Sequence, residues 1–340
     1  MYRRFAEPWG ALPADSVRPG AAVTDSEYRE KVMSLEPGLK ALLQIPEFQL
    51  SRPPPGVPAA ELRAAALPLP PFPMDEVHEV RDLQIPVRGA TIAGRLYRPS
   101  DRPHLPLIVF FHGGGFVFCG LDTHESVCRT LAARSGCAVV SVDYRLAPEH
   151  PFPVPLEDCY HSTQWLVAHA NDLRIDAGRV AVAGDSAGGN LATGVCRLAR
   201  EHRGARLRHQ ALIYPVTDAA CDNASWRELG QGYMLSRDWM LWAWECYVPD
   251  PARRADPLAS PLRATDFSDQ PPASIVTADH DPLRDEAEAY AARLRDAGVA
   301  VTARRYLGVI HGFASLPFAT QLANRALEDL AGDLRAALTA

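Results

Sequence analysis

One stretch, Val180 to Arg200, constrains the fold of this chain more than any other. The apolar run Val180-Ala181-Val182-Ala183 has the length and character of a buried strand. It leads without a break into Gly184-Asp185-Ser186-Ala187-Gly188-Gly189. A segment with Leu191, Val195 and Leu198 at i, i+4 and i+7 follows, which is the spacing of one helix face. A strand that turns directly into a helix is part of a strand–helix–strand crossover. Such units build mostly parallel sheets with helices on both faces.

The same alternation runs through most of the chain. His78 to Val87 and Ala90 to Tyr97 read as a hairpin turned at Arg88-Gly89. Strands are expected at Pro106–Phe111, Cys137–Val142, Ala211–Tyr214, Ser274–Thr277 and Val299–Tyr306. Helices are expected at Glu125–Arg134 and Leu156–Ala170, and on the faces marked by Ala287, Tyr290, Ala291 and Leu294 and by Leu327, Leu330, Leu334 and Leu338. Gly298 is placed to stop the first of these two faces. Two regions depart from the alternation. Residues 1–70 are rich in proline, with a weak helical piece at Tyr28–Leu43, and read as an appendage on a body that begins near Val77. Residues 218–261 carry no strand signal but hold four of the six tryptophans, Trp226, Trp239, Trp242 and Trp244.

Composition narrows the function. The 340 residues carry a formal net charge of −6, which argues against nucleic acid as a main partner, because neutralising phosphates needs a basic face. No stretch approaches the roughly 20 apolar residues of a membrane span; Leu107 to Phe111 is only of strand length. The first residues have no apolar core of a secretory signal. The seven cysteines are odd in number and form no C-x-x-C pair, so neither a disulfide framework nor a structural zinc site is expected. A reducing, cytoplasmic location is the expectation.

Gly184-Asp185-Ser186-Ala187-Gly188 matches G-x-S-x-G in the strand–turn–helix context that a nucleophile elbow requires. Small neighbours let the backbone reverse and push the Ser186 hydroxyl into the open. No lysine follows, so the turn is not a phosphate-binding P-loop. His112-Gly113-Gly114-Gly115-Phe116 follows another expected strand. Three glycines free of side chains allow backbone amides to converge on a developing oxyanion, and the Ala187 amide is a further donor. His112 is read as holding the loop in shape. Asp279, Asp281 and Asp285 compete as the acid. Asp281, before a proline, is held extended, whereas Asp285 sits in a predicted helix. His311 is the histidine that lies after these acids on a strand-end loop, in the order Ser–acid–His.

Together these segments resemble the hormone-sensitive-lipase-like branch of the α/β-hydrolases, the microbial esterases of the H-G-G-G type. The resemblance covers roughly residues 75–338 and rests on five stretches. They are His112-Gly113-Gly114-Gly115-Phe116, Asp143-Tyr144-Arg145-Leu146-Ala147-Pro148-Glu149, Gly184 to Gly189, Asp281-Pro282-Leu283-Arg284-Asp285-Glu286, and His311-Gly312-Phe313. It implies an α/β-hydrolase fold with a helical cap. The core would be residues 71–217 and 262–340, and the cap residues 1–70 and 218–261. It implies Ser186 as nucleophile, His311 as base and Asp281 as orienting acid, with oxyanion donors at Gly114, Gly115 and Ala187. The Asp143–Glu149 stretch is read as structural. Phe116, Tyr233, Trp242 and Trp244 are expected to line an apolar substrate pocket. The activity implied is hydrolysis of short- to medium-chain carboxylic esters through an acyl-enzyme, with no cofactor and no metal, since no H-E-x-x-H spacing occurs. The partner is a small-molecule ester, and dimers are common in the family, so a homodimer is implied. An amidase or deacetylase would use the same triad. A non-catalytic receptor, as in plant gibberellin receptors, would lack part of it. Cys119 beside the glycine loop and His280 beside the acid are less usual for the family.

Overall fold

The computed structural model describes residues 34–65 and 72–339, and Leu35–Ala340 forms one compact unit. Eight strands make one sheet: β1 Glu79–Val87, β2 Ala90–Arg98, β3 Leu105–Phe111, β4 Ala138–Val142, β5 Ile175–Asp185, β6 Leu207–Ile213, β7 Ala273–His280 and β8 Val301–Ile310. Their order is β1-β2-β4-β3-β5-β6-β7-β8. The expected hairpin β1–β2 joins antiparallel to β4, and every pair from β4 to β8 is parallel. β3 and β4 are buried along their whole length, which is why their sequences are unbroken apolar runs.

Side-chain alternation along the strands divides the core in two. Leu107, Val109 and Phe111 point to one side, where Leu156 and Leu166 of α4 (Val154–Ala168) and Leu191 of α5 (Ala187–Glu201) pack. Ile108 and Phe110 point to the other, against Leu131 of α3 (Glu125–Ser135) and Leu330 and Leu334 of α9 (Gln321–Thr339). Before the sheet come two short helices, α1 (Pro37–Leu42) and α2 (Ala59–Ala65). Of the helix expected at Tyr28–Leu43, the described part is helical over Pro37–Leu42, with proline suited to the first helical position, and residues 28–33 lie outside the described ones.

Two strands are longer than their apolar signal. β5 starts at Ile175 because Ile175 pairs with Leu105 through an irregular register, and the polar Asp176 and Arg179 form a half-buried ion pair there. β8 continues to Ile310 because the Asp279 carboxylate accepts the Gly308 and Val309 amides where the β7–β8 ladder shifts register. The Gly298 stop is as expected: its φ is +81°, and the following amide, Val299 N, donates to the Leu294 carbonyl.

The 218–261 region folds into α6 (Ala224–Leu229) and α7 (Arg237–Tyr247). Each starts at a side-chain cap: Asn223 accepts from Trp226 N and Ser236 from Trp239 N. Of residues 1–70, those numbered 1–33 and 66–70 lie outside the described residues. Leu50 bridges to Leu235 and Arg52 pairs with Glu245, so the described N-terminal part lies against the 218–261 region. No helix among the described residues is long and apolar enough to cross a membrane.

One carboxyl bolts this region to the core. Glu286, in α8 (Arg284–Asp296), accepts the Thr217 and Asp218 amides and the Trp226 indole N–H. Burial pushes its carboxyl up to about 8 from an ordinary 4.5, despite these three donors. A raised carboxyl favours the fold below its unfolded value and loses that contribution as pH rises toward the folded one. Relative to Glu286→Gln, the native protein should therefore lose stability between about pH 5 and pH 8, by on the order of a few kcal/mol. Parallel melting curves of the two proteins over that range check it. A constant difference in Tm would exclude the ionisation.

Candidate active site

The elbow is built by close packing. β5 ends at Asp185, Ser186 caps α5, and the Ser186 φ of +52° is a strained value for a residue with a Cβ. The strain is held by neighbours: Ser186 N donates to Ile213 O, and Ser186 O accepts from Val216 N and Asn190 N. A Cβ at Gly188 would overlap the Phe111 carbonyl, so the helix can leave the turn this close to β3 only with glycine there.

At this turn three side chains meet. The Ser186 Oγ lies 2.9 Å from His311 Nε2, and His311 Nδ1 lies 2.8 Å from Asp281 Oδ2. An ionised carboxylate only accepts, so the His311 proton sits on Nδ1 and Nε2 is free to accept from the serine hydroxyl. Asp281 is 0% exposed, and its other oxygen accepts the Leu283 amide. The serine and histidine are 7% and 6% exposed. Register explains the meeting. His280 pairs with Ile310 across β7 and β8, so the next residue of each strand, Asp281 and His311, leaves the sheet side by side. The competing acids have other work. Asp279 holds the β8 amides and faces His280 Nδ1 at 2.9 Å, and Asp285 accepts the Ser225 amide of α6. His280 stacks on Tyr233 with ring centroids 5.4 Å apart, so its ring is engaged away from Asp281.

The glycine loop follows β3. Gly114 and Gly115 have φ of +102° and +60°, the region that favours glycine. The Gly113 amide is taken by Asp185 Oδ1 at 2.8 Å. Among the described residues, nothing accepts from the Gly114, Gly115 or Ala187 amides. Burial pushes the His112 imidazole down to about 3, so it is neutral; its Nδ1 meets the Gly113 carbonyl at 2.8 Å and its ring stacks on Tyr144. The Asp143–Glu149 stretch holds this loop from behind. The Tyr144 hydroxyl donates to His112 O, and Arg145 forms a two-pronged pair with buried Asp158. Among the described residues no three His, Cys, Asp or Glu side chains cluster as a metal site would need.

The aromatic residues sort differently from the sequence expectation. Phe116 and Trp244 are fully buried, with Phe116 stacked on Tyr247 at 3.7 Å between ring centroids and Trp244 tilted against both. Neither side chain has surface to offer a substrate, so their assignment to a pocket lining is corrected to core packing. Trp242 and Tyr233 remain half-buried. Two residues missed in the sequence stand closer. Trp239 packs against the loop, such that a Cβ at Gly115 would come within 2.5 Å of its ring. Met234 covers the residue after His311, where a Cβ at Gly312 would lie 2.9 Å from its methyl. Cys119, at φ +71°, is an exposed residue whose sulfur lies beside Gly114.

A strand-end serine, histidine and aspartate in hydrogen-bonded series, beside unoccupied amides, is the equipment of acyl transfer. The comparisons agree with that class. A family model described as alpha/beta hydrolase fold matches residues 108–315, and the chain belongs to that family. It is 45% identical over 253 residues to a carboxylic ester hydrolase, LipN, of Mycobacterium tuberculosis, covering 72% of this chain and 67% of that protein. It is 43% identical over 244 residues to an ethyl acetate hydrolase of Pseudomonas putida, covering 70% of this chain and 77% of that protein. A solved hyperthermophilic esterase of Pyrobaculum calidifontis superposes with a TM-score of 0.83 at 39% identity, covering 91% of this chain and all of that one. The chain is a carboxylesterase, as the five motifs imply.

Proposed function

We propose that this carboxylesterase cleaves short- to medium-chain acyl esters with Ser186 as nucleophile, His311 as base and Asp281 as the group that orients it. The observation that carries the reading is the unbroken relay Asp281–His311–Ser186, with contacts of 2.8 and 2.9 Å. Ser186 Oγ attacks the ester carbonyl as His311 Nε2 takes its proton, and Asp281 stabilises the imidazolium. The Gly114, Gly115 and Ala187 amides receive the oxyanion; their lack of other acceptors among the described residues supports this. His311 then protonates the leaving alcohol, and water, activated in the same way, releases the acid.

The proposal extends to the cap, formed by residues 1–70 and 218–261 over the core residues 71–217 and 262–340. The Leu50–Leu235 bridge supports a cap of two pieces. A cytoplasmic location is in keeping with seven unpaired cysteines. A homodimer rests on the family resemblance alone.

A panel of nitrophenyl esters of graded acyl length, with one anilide, tests the substrate class. Each buried methylene favours binding by about 0.8 kcal/mol until the space under the cap is full. kcat/KM is expected to peak at about C4 to C6 and to fall steeply beyond about C10, with the anilide a poor substrate. Trp239→Ala should move the peak to longer chains, because it opens space against Gly115, whereas Trp244→Ala should act mainly on stability, as the loss of a buried aromatic does. A native peak at C16, or an unchanged profile in Trp239→Ala, would show that the region only packs.

A further inference from the structure

Beneath the glycine loop lies a buried polar chain that the hydrolytic relay does not use. Asp185, the residue before the serine, accepts the Gly113 amide through Oδ1, and the same oxygen lies 3.1 Å from His124 Nε2. Both side chains are almost completely buried. His124 Nδ1 in turn lies 2.9 Å from the Thr123 hydroxyl. That hydroxyl donates to the Gly120 carbonyl and accepts the Gly120 amide. The chain therefore grips the loop at Gly113 and again at Gly120, its two ends. Asp185 also packs directly on Gly113, where a Cβ would collide with its second oxygen. Burial alone would raise the Asp185 carboxyl, but the facing His124 and the Gly113 amide more than offset it, and the carboxyl sits below its ordinary value. A carboxylate can only accept, so the His124 nitrogen that faces it carries a proton.

We propose that Asp185 and His124 are positioning residues for ester hydrolysis: a buried pair that clamps the loop at both ends and so aims the Gly114 and Gly115 amides at the oxyanion. The inference rests on the reading of those amides as oxyanion donors. The clamp takes the Gly113 amide out of use as a donor and fixes the plane from which the next two amides project. Neither side chain touches the substrate. Their removal should cost transition-state stabilisation and leave ground-state binding nearly intact.

The test uses the full chain with Asp185→Ala, His124→Leu and His124→Gln. It measures kcat and KM on nitrophenyl butyrate and affinity for a trifluoromethyl ketone, whose adduct mimics the oxyanion. Asp185→Ala is expected to lose about 10²- to 10³-fold in kcat, the scale of a lost oxyanion donor, with KM changed less than about threefold. Ketone affinity should fall in step with kcat/KM. His124→Leu should lose at least about tenfold in kcat, and His124→Gln, whose amide can still donate to Asp185, should recover most of it. A folded Asp185→Ala enzyme with near-native kcat, a loss confined to KM, or unchanged ketone affinity would overturn the proposal. If Asp185→Ala does not fold, equal turnover by the two His124 variants overturns it. Labelling by a nitrophenyl phosphonate, with Ser186→Ala as blank, separates the two levels. A labelled blank means the serine assignment has failed. A silent blank with Asp185→Ala labelled at the native rate means that only the clamp has failed.

Discussion

Ser186→Ala is expected to lower kcat by about 10⁴-fold or more while the protein stays folded. The hydroxyl is the group that His311 Nε2 faces, and without it no acyl-enzyme can form. The fold should survive because the elbow is held by main-chain bonds from Ser186 N to Ile213 and from Val216 and Asn190 to Ser186 O. The serine side chain makes no capping bond at the start of α5. Alanine keeps the Cβ that the backbone already accommodates at φ +52°. Circular dichroism should match the native protein, and nitrophenyl ester turnover should fall to the residual rate from binding and the oxyanion amides. Near-native turnover in a pure preparation would sink the mechanism.

Asp281→Asn is expected to cost on the order of 10⁴-fold in kcat, by analogy with the same change in other triads. The asparagine oxygen can still accept the Leu283 amide that Asp281 Oδ1 accepts, so the turn is preserved. Its NH₂ would then face His311 Nδ1. The imidazole must give up the Nδ1 proton to accept that N–H, which places its proton on Nε2 and points it at Ser186. A ring protonated there cannot take the serine proton. Asp279→Asn provides the contrast. It should change kcat less than about tenfold and instead lower Tm, because Asp279 holds the Gly308 and Val309 amides of β8 and does not touch His311. A larger kcat loss in Asp279→Asn than in Asp281→Asn would reverse the assignment of the acid.

How far the sequence could be read follows from the range of the interactions. The strand–turn–helix at Ser186 is a local pattern, and so is the glycine loop after β3; both are legible because adjacent residues determine them. The choice among Asp279, Asp281 and Asp285 needed more. It depends on the β7–β8 register, which a shift between Ala278 and His280 sets, and no spacing within one strand encodes that. The aromatic helix failed for a related reason. α7 turns Trp239 and Trp242 to one side and Trp244 to another, and the spacing alone does not say which side meets the glycine loop. Trp239 and Ala243, one turn apart, do, while Trp244 turns into the core. The Asp185–His124 contact joins residues far apart in the chain, and His124 reads locally as an ordinary helix-start residue. Arg98 gave no signal either. It is a buried arginine whose guanidinium caps the carbonyls of Arg102, Leu173 and Arg174.

The contact of Trp239 with Gly115 has a consequence for how such an enzyme would reject a bad substrate. The ring packs against Gly115 and so braces the loop whose amides are proposed to receive charge. If acyl chains are seated against this ring, as the proposed cap implies, one too large for the space there must shift the ring, and in doing so it loosens the loop. Oversized esters would then be held about as well as good ones but turned over more slowly. Discrimination would fall on the chemical step, after binding, and a crowded mixture of esters would be sorted by rate while the larger ones act as competitive inhibitors of the smaller.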